Sequence, residues 1–372
     1  MSSSQQKIKV GILGATGTVG QRFITLLASH PFFEIHALGA SPRSAGQAYP
    51  KATKWKQSVP IPEAVKQMTV RKCDPEDGFQ ECKIIFSGLD ADAAGDIEQA
   101  FRKAEFAVFS NAKNYRQDPL VPLIVPTVNP SHIQVIPAQQ ASLSPPLQKG
   151  FIVTNANCST TGLVVPLKAL EDAFGPLDKC MVTTMQAISG GGYPGVPSMD
   201  ILDNVVPYIG GEEEKIEWEA SKILGGVLPE GKGFDLHSES PLKVSASCNR
   251  VAVLDGHTEC VSVSFKNRPA PSPEAVAEAM RSYSCLTQSL GPSKVPSAAP
   301  TPLVVLEEQD RPQPRLDRNL HDGATVVVGR IRECPVLDIK FVCLSDNVRI
   351  GAATSSIINA ELAVAQGVVS LE

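Results

Sequence analysis

A short apolar run, Lys7-Ile-Lys-Val-Gly-Ile-Leu13, leads without a break into Gly14-Ala-Thr-Gly-Thr-Val-Gly20 and then into an amphipathic segment, Gln21 to Ser29. Strand, glycine turn and helix in that order constrain the fold more than any other feature of the 372-residue chain. Glycines at 11, 14, 17 and 20 permit a tight turn and let backbone N–H groups approach an anion held at the helix start. The spacing is not G-x-G-x-x-G, so the turn points to a nucleotide only together with its flanking elements.

The alternation continues. Phe33 to Ala40, Lys83 to Leu89 and Phe106 to Asn111 are predicted strands, and Ala91 to Lys103 is a predicted helix. Such an order makes a parallel, doubly wound sheet, so the first part of the chain is expected to be an α/β, Rossmann-type domain. Ser87 and Gly88 would lie at the carboxyl edge, where such sheets bind ligands. After the second strand come Ser41, Pro42, Arg43 and Ser44, with no acid among them. An NAD site places Asp or Glu here, whereas a ribose 2′-phosphate is met by arginine and hydroxyl donors. NADP is therefore expected over NAD.

A proline-rich stretch from Asn111 to Pro146 reads as loops and short strands leading out of this domain. From Phe151 a second unit is expected. Its predicted strands are Met181 to Ala187, Lys243 to Ala252, Thr258 to Phe265, Ala324 to Arg332 and Lys340 to Leu344. Its predicted helices are Ser159 to Ala173, Glu212 to Leu224 and Pro273 to Ser284. Strands dominate and helices are set apart, the pattern of an α+β domain. Gly291 to Pro302 and the charged stretch Glu307 to Arg318 read as a long exposed connection. Gly351 to Ala365 spaces its apolar residues as a helix and is expected to return to the first domain. The division is thus 1–150, completed by 348–372, for the cofactor, and 151–347 for catalysis and dimerisation.

Forty-two per cent hydrophobic and 20% charged residues are ordinary for a globular protein, and a net charge of −5 gives no electrostatic reason for a nucleic-acid partner. The nine cysteines are odd in number and contain no Cys-x-x-Cys, against both a disulfide framework and a zinc ribbon. No metal site is expected. The start of the chain lacks an apolar signal core, and no run of about 18 apolar residues occurs, so a cytoplasmic protein without a membrane anchor is expected.

In Phe151-Ile-Val-Thr-Asn-Ala-Asn-Cys-Ser-Thr-Thr-Gly162, one cysteine stands where a strand gives way to a helix. Cys158 would face unpaired N–H groups, which lower a thiol pKa, and is the candidate nucleophile. Six histidines (30, 36, 132, 237, 257 and 321) are possible proton-transfer partners, and spacing does not choose among them. His257 stands out because Arg250 and His257 end one predicted hairpin strand and its turn. A guanidinium there could bind a carboxylate beside an imidazole that handles protons near neutral pH. Gln186-Ala-Ile-Ser-Gly-Gly-Gly192 ends another strand in glycines, and Glu219-Ala-Ser-Lys222 puts a carboxylate and an ammonium on one helix face.

Taken together, Gly11-x-x-Gly-Ala-Thr-Gly-x-Val-Gly20, Asn157-Cys158-Ser-Thr, Gln186-Ala-x-Ser-Gly, Glu219-x-x-Lys-Ile-Leu224 and Arg250-x6-His257 resemble the aspartate-β-semialdehyde dehydrogenase family over nearly the whole chain. Glu-Glu-Glu-Lys before the helix is most similar to the branch shared by fungi and archaea. The resemblance implies reversible, phosphate-dependent oxidation of aspartate semialdehyde, run in lysine, threonine and methionine biosynthesis as NADPH-driven reduction of β-aspartyl phosphate. It implies an acyl-thioester on Cys158, with His257 as acid and base and Gln186 orienting the acyl group. Arg250 would clamp the substrate carboxylate, Glu219 its amine, and Lys222 and Arg116 the phosphate. Asn157 and the Cys158 N–H would stabilise the oxyanion. Gly14, Thr16, Gly17, Thr18, Val19, Ser41, Arg43, Ser44 and Ser87 would hold the cofactor, completed by Ser189, Gly190 and Asn347. A homodimer or homotetramer is implied. Two alternatives stay open: a related acyl-phosphate or acyl-CoA reductase, acting on N-acetyl-glutamyl phosphate or malonyl-CoA, and a non-catalytic dinucleotide-binding regulatory protein.

Overall fold

The computed structural model describes residues 7–370; the stretch read for a leader, residues 1–6, and the last two residues lie outside them. Seven strands, β1 (Ile8–Leu13), β2 (Phe33–Ala40), β3 (Arg71–Lys72), β4 (Ile84–Ser87), β5 (Ala107–Ser110), β6 (Leu123–Ile124) and β7 (Phe151–Asn155), form one sheet in the order β3-β2-β1-β4-β5-β7-β6. All of its pairings are parallel. Alternate residues feed cores on opposite faces: Phe86 and Phe109 lie in one apolar cluster, Ile85 and Val108 in the other. β1 bonds to β2 on one side and β4 on the other, so strand order reverses there and a crevice opens beyond the carboxyl ends of β1 and β4. The first helix, Thr18–Leu27, starts inside the glycine turn, three residues earlier than expected.

The second sheet holds β8 (Leu177–Gln186), β9 (Lys243–Arg250), β10 (His257–Phe265), β11 (Leu303–Val305), β12 (Val326–Glu333) and β13 (Ile339–Ser345), in the order β11-β12-β13-β10-β8-β9. It is mixed, with β8 parallel to β9 and antiparallel to β10. The helices Cys158–Phe174, Glu212–Leu224 and Pro273–Ser282 supply the apolar residues that cover one face. On the other face Met181 is 53% exposed.

Three expectations change. Phe151–Asn155 was expected to open the second unit; instead it is β7, paired between β5 and β6 of the first sheet. A fully buried strand reads the same whichever sheet it joins. Gly291 to Pro302 was expected to be exposed; instead Val295 packs with Ile350, Ile358 and Leu362, and Ser297 Oγ donates to Glu361 at 2.6 Å. The small residues that suggest a loop are those that let a loop lie close against a helix. The proline-rich stretch is buried over most of 121–136, in part as the 3-10 helix Pro130–Val135.

The final segment begins with a π-helical turn, Arg349–Ala353, and continues as the helix Thr354–Ala365. Ile357, Ala360 and Ala363 share the apolar cluster of β1, β4 and β5, and Asn359 donates to Asn155 Oδ1 at 3.1 Å. Thr354, Ile357 and Ile358 are poor helix formers, so packing holds this helix. Ile357, Ile358 and Leu362 are 0–1% exposed, at about 1.5–3 kcal/mol for each buried side chain.

Candidate active site

The helix Cys158–Phe174 leaves the end of β7 in the first sheet and runs into the second core, so its first residue stands at the junction of the two units. Asn157 caps it: Oδ1 accepts from the N–H groups of Ser159 at 2.9 Å and Thr160 at 3.2 Å. Its Nδ2 donates to Glu212 Oε2 at 2.8 Å. The carboxamide expected at the oxyanion is thus engaged by the helix start and by Glu212. Gly351 of the π-helical turn lies against Cys158, where an added Cβ would come within 3.0 Å of the cysteine Cβ.

β10 begins with His257, fully buried, whose Nε2 lies 3.2 Å from Cys158 Sγ. On the far side of the ring the Ala187 N–H donates to Nδ1 at 3.0 Å. Burial, aided by the Arg250 charge, lowers the His257 pKa to about 3, so the ring is neutral. Burial pushes the Cys158 thiol up to about 12 with Glu212 adding to it, while Arg116, Arg250 and the Ser159 N–H pull the other way. The helix start was expected to lower this pKa; desolvation outweighs it here.

Arg250 ends β9 and is 7% exposed; its Nη1 donates to the Ala187 carbonyl at 2.8 Å. Gln186 ends β8, with Nε2 3.3 Å from Thr184 Oγ1 and 3.4 Å from Glu212 Oε2. Gly190 presses on both Arg250 and His257: a Cβ there would stand 2.8 Å from Arg250 Nη1 and 3.2 Å from His257 Nε2. Asn347 ties this corner together, accepting from the Gly256 N–H at 2.8 Å and donating to Ser189 Oγ at 2.9 Å. Cys158, Gln186, Ser189, Gly190, Arg250, His257 and Asn347, distant in sequence, are brought together.

The helix Glu212–Leu224 departs from expectation. Glu219, expected at the substrate amine, is fully buried, accepting from Arg116 Nη1 at 2.8 Å and from the Asn157 N–H at 2.6 Å. Lys222, expected at the phosphate, donates to the carbonyls of Arg116, Asp118 and Val121 at 2.7, 2.8 and 2.9 Å, which uses all three of its protons and fixes that loop. Burial lowers its pKa to about 8. The carboxylate beside the cysteine is Glu212, which the sequence reading passed over. It is 8% exposed, accepts from Lys215 Nζ at 2.6 Å, and is held below the usual carboxylate range by Lys215, Asn157 and Gln186 against the opposing effect of burial. Glu212 precedes Glu219 by seven residues, two helical turns, and so shares its face; that spacing was the available signal. Arg116 Nε is buried with no partner among the described residues, an atom suited to an anion.

The turn at the first helix fits a dinucleotide. Gly14 has φ +72°, and a Cβ on Gly20 would lie 2.2 Å from the Gly14 carbonyl oxygen, so a side chain cannot occupy either position without rearrangement. The N-cap, Gly17, has no side-chain cap, leaving the N–H groups around Thr18 and Val19 open to a pyrophosphate, and the Thr16 carbonyl accepts from Gln21 at 2.9 Å. Gly88, after the buried Ser87, lies against this turn. Ser41 and Arg43 are exposed and Ser44 half-buried beyond β2, and Arg43 has no ion-pair partner among the described residues. No helix among the described residues is long and apolar enough to cross a membrane.

A family model described as "Semialdehyde dehydrogenase, NAD binding domain" matches residues 9–136, and one described as "Semialdehyde dehydrogenase, dimerisation domain" matches 167–350. Aspartate-semialdehyde dehydrogenase of Cryptococcus neoformans is 66% identical, with 99% of this chain and 100% of that protein aligned. The enzyme of that name from the archaeon Methanothermobacter thermautotrophicus is 45% identical over 95% of this chain and 98% of its own. The crystal structure of aspartate semialdehyde dehydrogenase with NADP from Candida albicans superimposes with a TM-score of 0.90 at 54% identity, covering 98% of this chain and 100% of that one. With both units matched and relatives aligned end to end, the chain belongs to the aspartate-semialdehyde dehydrogenase family.

Proposed function

We propose that this chain is an aspartate-semialdehyde dehydrogenase that reduces β-aspartyl phosphate to aspartate β-semialdehyde with NADPH, reversibly, through an acyl-thioester on Cys158. The observation that carries the reading is a cysteine at a helix start, 3.2 Å from a buried histidine, with Arg250, Arg116 and Glu212 close enough to act on its charge. In this reading the sulfur attacks the acyl carbon, the C–O bond to phosphate breaks, and the departing phosphate takes up the proton equivalent that the thiol gives up. When bound, NADPH supplies the hydride that reduces the thioester. Gly14, Thr16, Gly17, Thr18 and Val19 would hold its pyrophosphate, Ser41, Arg43 and Ser44 its 2′-phosphate, and Ser189, Gly190 and Asn347 its nicotinamide end.

Arg250 meets the substrate α-carboxylate, Gln186 the acyl group, and Arg116 the phosphate, for which its unpartnered Nε is supporting evidence. The buried, ionised Glu212 meets the substrate amine. Glu219 and Lys222 act one step back, holding Arg116 and its loop in place. A free amine warrants a carboxylate, and an acetylated or absent one does not, which favours aspartyl phosphate over N-acetyl-glutamyl phosphate or malonyl-CoA. An NADPH-oxidation panel with the three donors tests this: turnover of aspartyl phosphate is expected, and turnover of malonyl-CoA with aspartyl phosphate inert would overturn it.

Two copies associate through the second unit, in keeping with the dimerisation-domain match, the open face at Met181, and Tyr193, Met199, Leu202, Val205 and Tyr208, each more than half exposed. Sedimentation distinguishes this dimer from a tetramer built of two of them. A cytoplasmic location accords with nine cysteines that are all unpaired.

A further inference from the structure

Three consecutive carbonyls of the glycine turn are held by donors. The Gly17 carbonyl accepts from the Gln21 N–H at 2.9 Å, which is the first bond of the helix. The Ala15 carbonyl accepts from the hydroxyl of Tyr49 at 2.8 Å, and the Thr16 carbonyl accepts from Gln21 Nε2 at 2.9 Å. Tyr49 opens the short helix Tyr49–Ala52, and both side chains are buried. The Gln21 carboxamide reaches further. Its Nε2 also faces the Lys54 carbonyl at 3.1 Å and Thr53 Oγ1 at 3.2 Å, while Oε1 accepts from the Lys56 N–H at 2.7 Å. One end of the amide meets carbonyls and the other an N–H, so its orientation is fixed.

A trans peptide points its N–H and its C=O in opposite directions. Tyr49, by holding the Ala15 carbonyl, turns the Thr16 N–H the other way. Gln21 holds the peptide between Thr16 and Gly17 at its carbonyl, while the Gly17 N–H closes on the Gly14 carbonyl at 2.9 Å. The N–H groups of Thr16, Thr18 and Val19 are left without an acceptor among the described residues. Successive outward N–H groups at a helix start form an anion-binding concavity.

We propose that Tyr49 and Gln21 are positioning residues for the cofactor: they hold two peptides of the turn by their carbonyls, so that the free N–H groups face the pyrophosphate of NADP. Both are buried, and neither touches the dinucleotide. The inference deepens the functional reading above and rests on its NADP site, not on which acyl donor is reduced. The turn does not hold this shape by backbone bonds alone, because the Ala15 and Thr16 carbonyls have no backbone donor among the described residues and Gly14 and Gly17 permit other conformations. Without the two side chains the binding-competent turn becomes one state among several, and apparent affinity falls with its fractional population.

The test is the NADP affinity of the full-length protein with shape-conserving substitutions, read by fluorescence titration in the absence of substrate. Tyr49→Phe removes one hydroxyl, and Gln21→Met keeps the length of the side chain but neither donates nor accepts. The dissociation constant is expected to rise about 3- to 10-fold for Tyr49→Phe and about 10-fold or more for Gln21→Met, the range for one hydrogen bond and for several lost at a buried site. Adenosine 2′-phosphate offers the 2′-phosphate end without a pyrophosphate, and should bind both variants as it binds the unmutated protein. At saturating NADP, kcat and the KM for aspartate semialdehyde should also be unchanged. Unaltered NADP affinity in either variant, or equal losses for NADP and adenosine 2′-phosphate, would overturn the proposal. Should Gln21→Met not fold, Tyr49→Phe decides alone. If the unmutated protein binds no NADP, the cofactor reading itself falls; if it binds NADP and both variants bind it equally well, only the roles of Tyr49 and Gln21 fall.

Discussion

Gly190→Ala tests how tightly the site is assembled. The substitution adds one methyl group and requires no left-handed backbone, since φ at Gly190 is outside the positive range. The new Cβ would stand 2.8 Å from Arg250 Nη1 and 3.1 Å from His257 Cε1. Ordinary contact begins at 3.4 Å, so the guanidinium must recede by about 0.6 Å (3.4 less 2.8) and the ring by about 0.3 Å (3.4 less 3.1). Neither group has slack: Arg250 is tied to the Ala187 carbonyl and His257 to the Ala187 N–H. A displacement of about 1 Å costs on the order of 10²-fold in rate, so a 10- to 10²-fold fall in kcat is expected. Phosphate-dependent oxidation of aspartate semialdehyde, followed by NADPH absorbance, gives kcat, and fluorescence titration gives NADP affinity, which should fall by less than kcat. An unchanged kcat, or a loss confined to NADP binding, would refute the inference that Gly190 holds the reacting groups in register.

Two further substitutions separate the paired carboxylates. Glu212→Gln should raise KM for aspartate semialdehyde about 10-fold or more, the usual weight of a hydrogen bond to a charged group, with the melting temperature little changed. Glu219→Gln should instead destabilise the fold by roughly 3–5 kcal/mol in denaturant titrations, because it strands the buried Arg116 charge; the reverse pattern would restore Glu219 to the substrate. Glu259, fully buried in the second sheet with Oε1 unpartnered and Oε2 3.7 Å from Cys343 Sγ, has its pKa raised by burial to about 8. Between about 4.5 and 8 the folded state holds a proton that the unfolded state has lost, so stability falls as pH rises through that window, by roughly 3–5 kcal/mol in all. Glu259→Gln should remove this slope in urea titrations at a series of pH values; an unaltered slope would assign the pH dependence to another group.

Elements with a single strong local cause were legible in the sequence. Phe33–Ala40, Ala91–Lys103 and Glu212–Leu224 have the expected bounds, set by β-branched and apolar alternation in the strand and by acidic first turns in the helices. Cys158 and His257 were singled out separately, but nothing in their 99-residue separation says that they touch; that depends on β10 starting beside the helix that leaves β7. The two glutamates show the limit most clearly. Helix periodicity places Glu212 and Glu219 on one face, yet which of them meets Arg116 and which lies beside the thiol depends on where the helix axis enters the core. Likewise a buried strand carries no mark of its sheet, so Phe151–Asn155 was assigned to the wrong one.

The central claim is that the sulfur of Cys158 becomes covalently acylated, and mass spectrometry of the full-length protein mixed with aspartate semialdehyde and NADP in the absence of phosphate tests it most directly. The expected result is an aspartyl adduct on the peptide containing Cys158, released by added phosphate and absent from Cys158→Ser. An adduct on another residue, or turnover by Cys158→Ser at the rate of the unmutated enzyme, would contradict it.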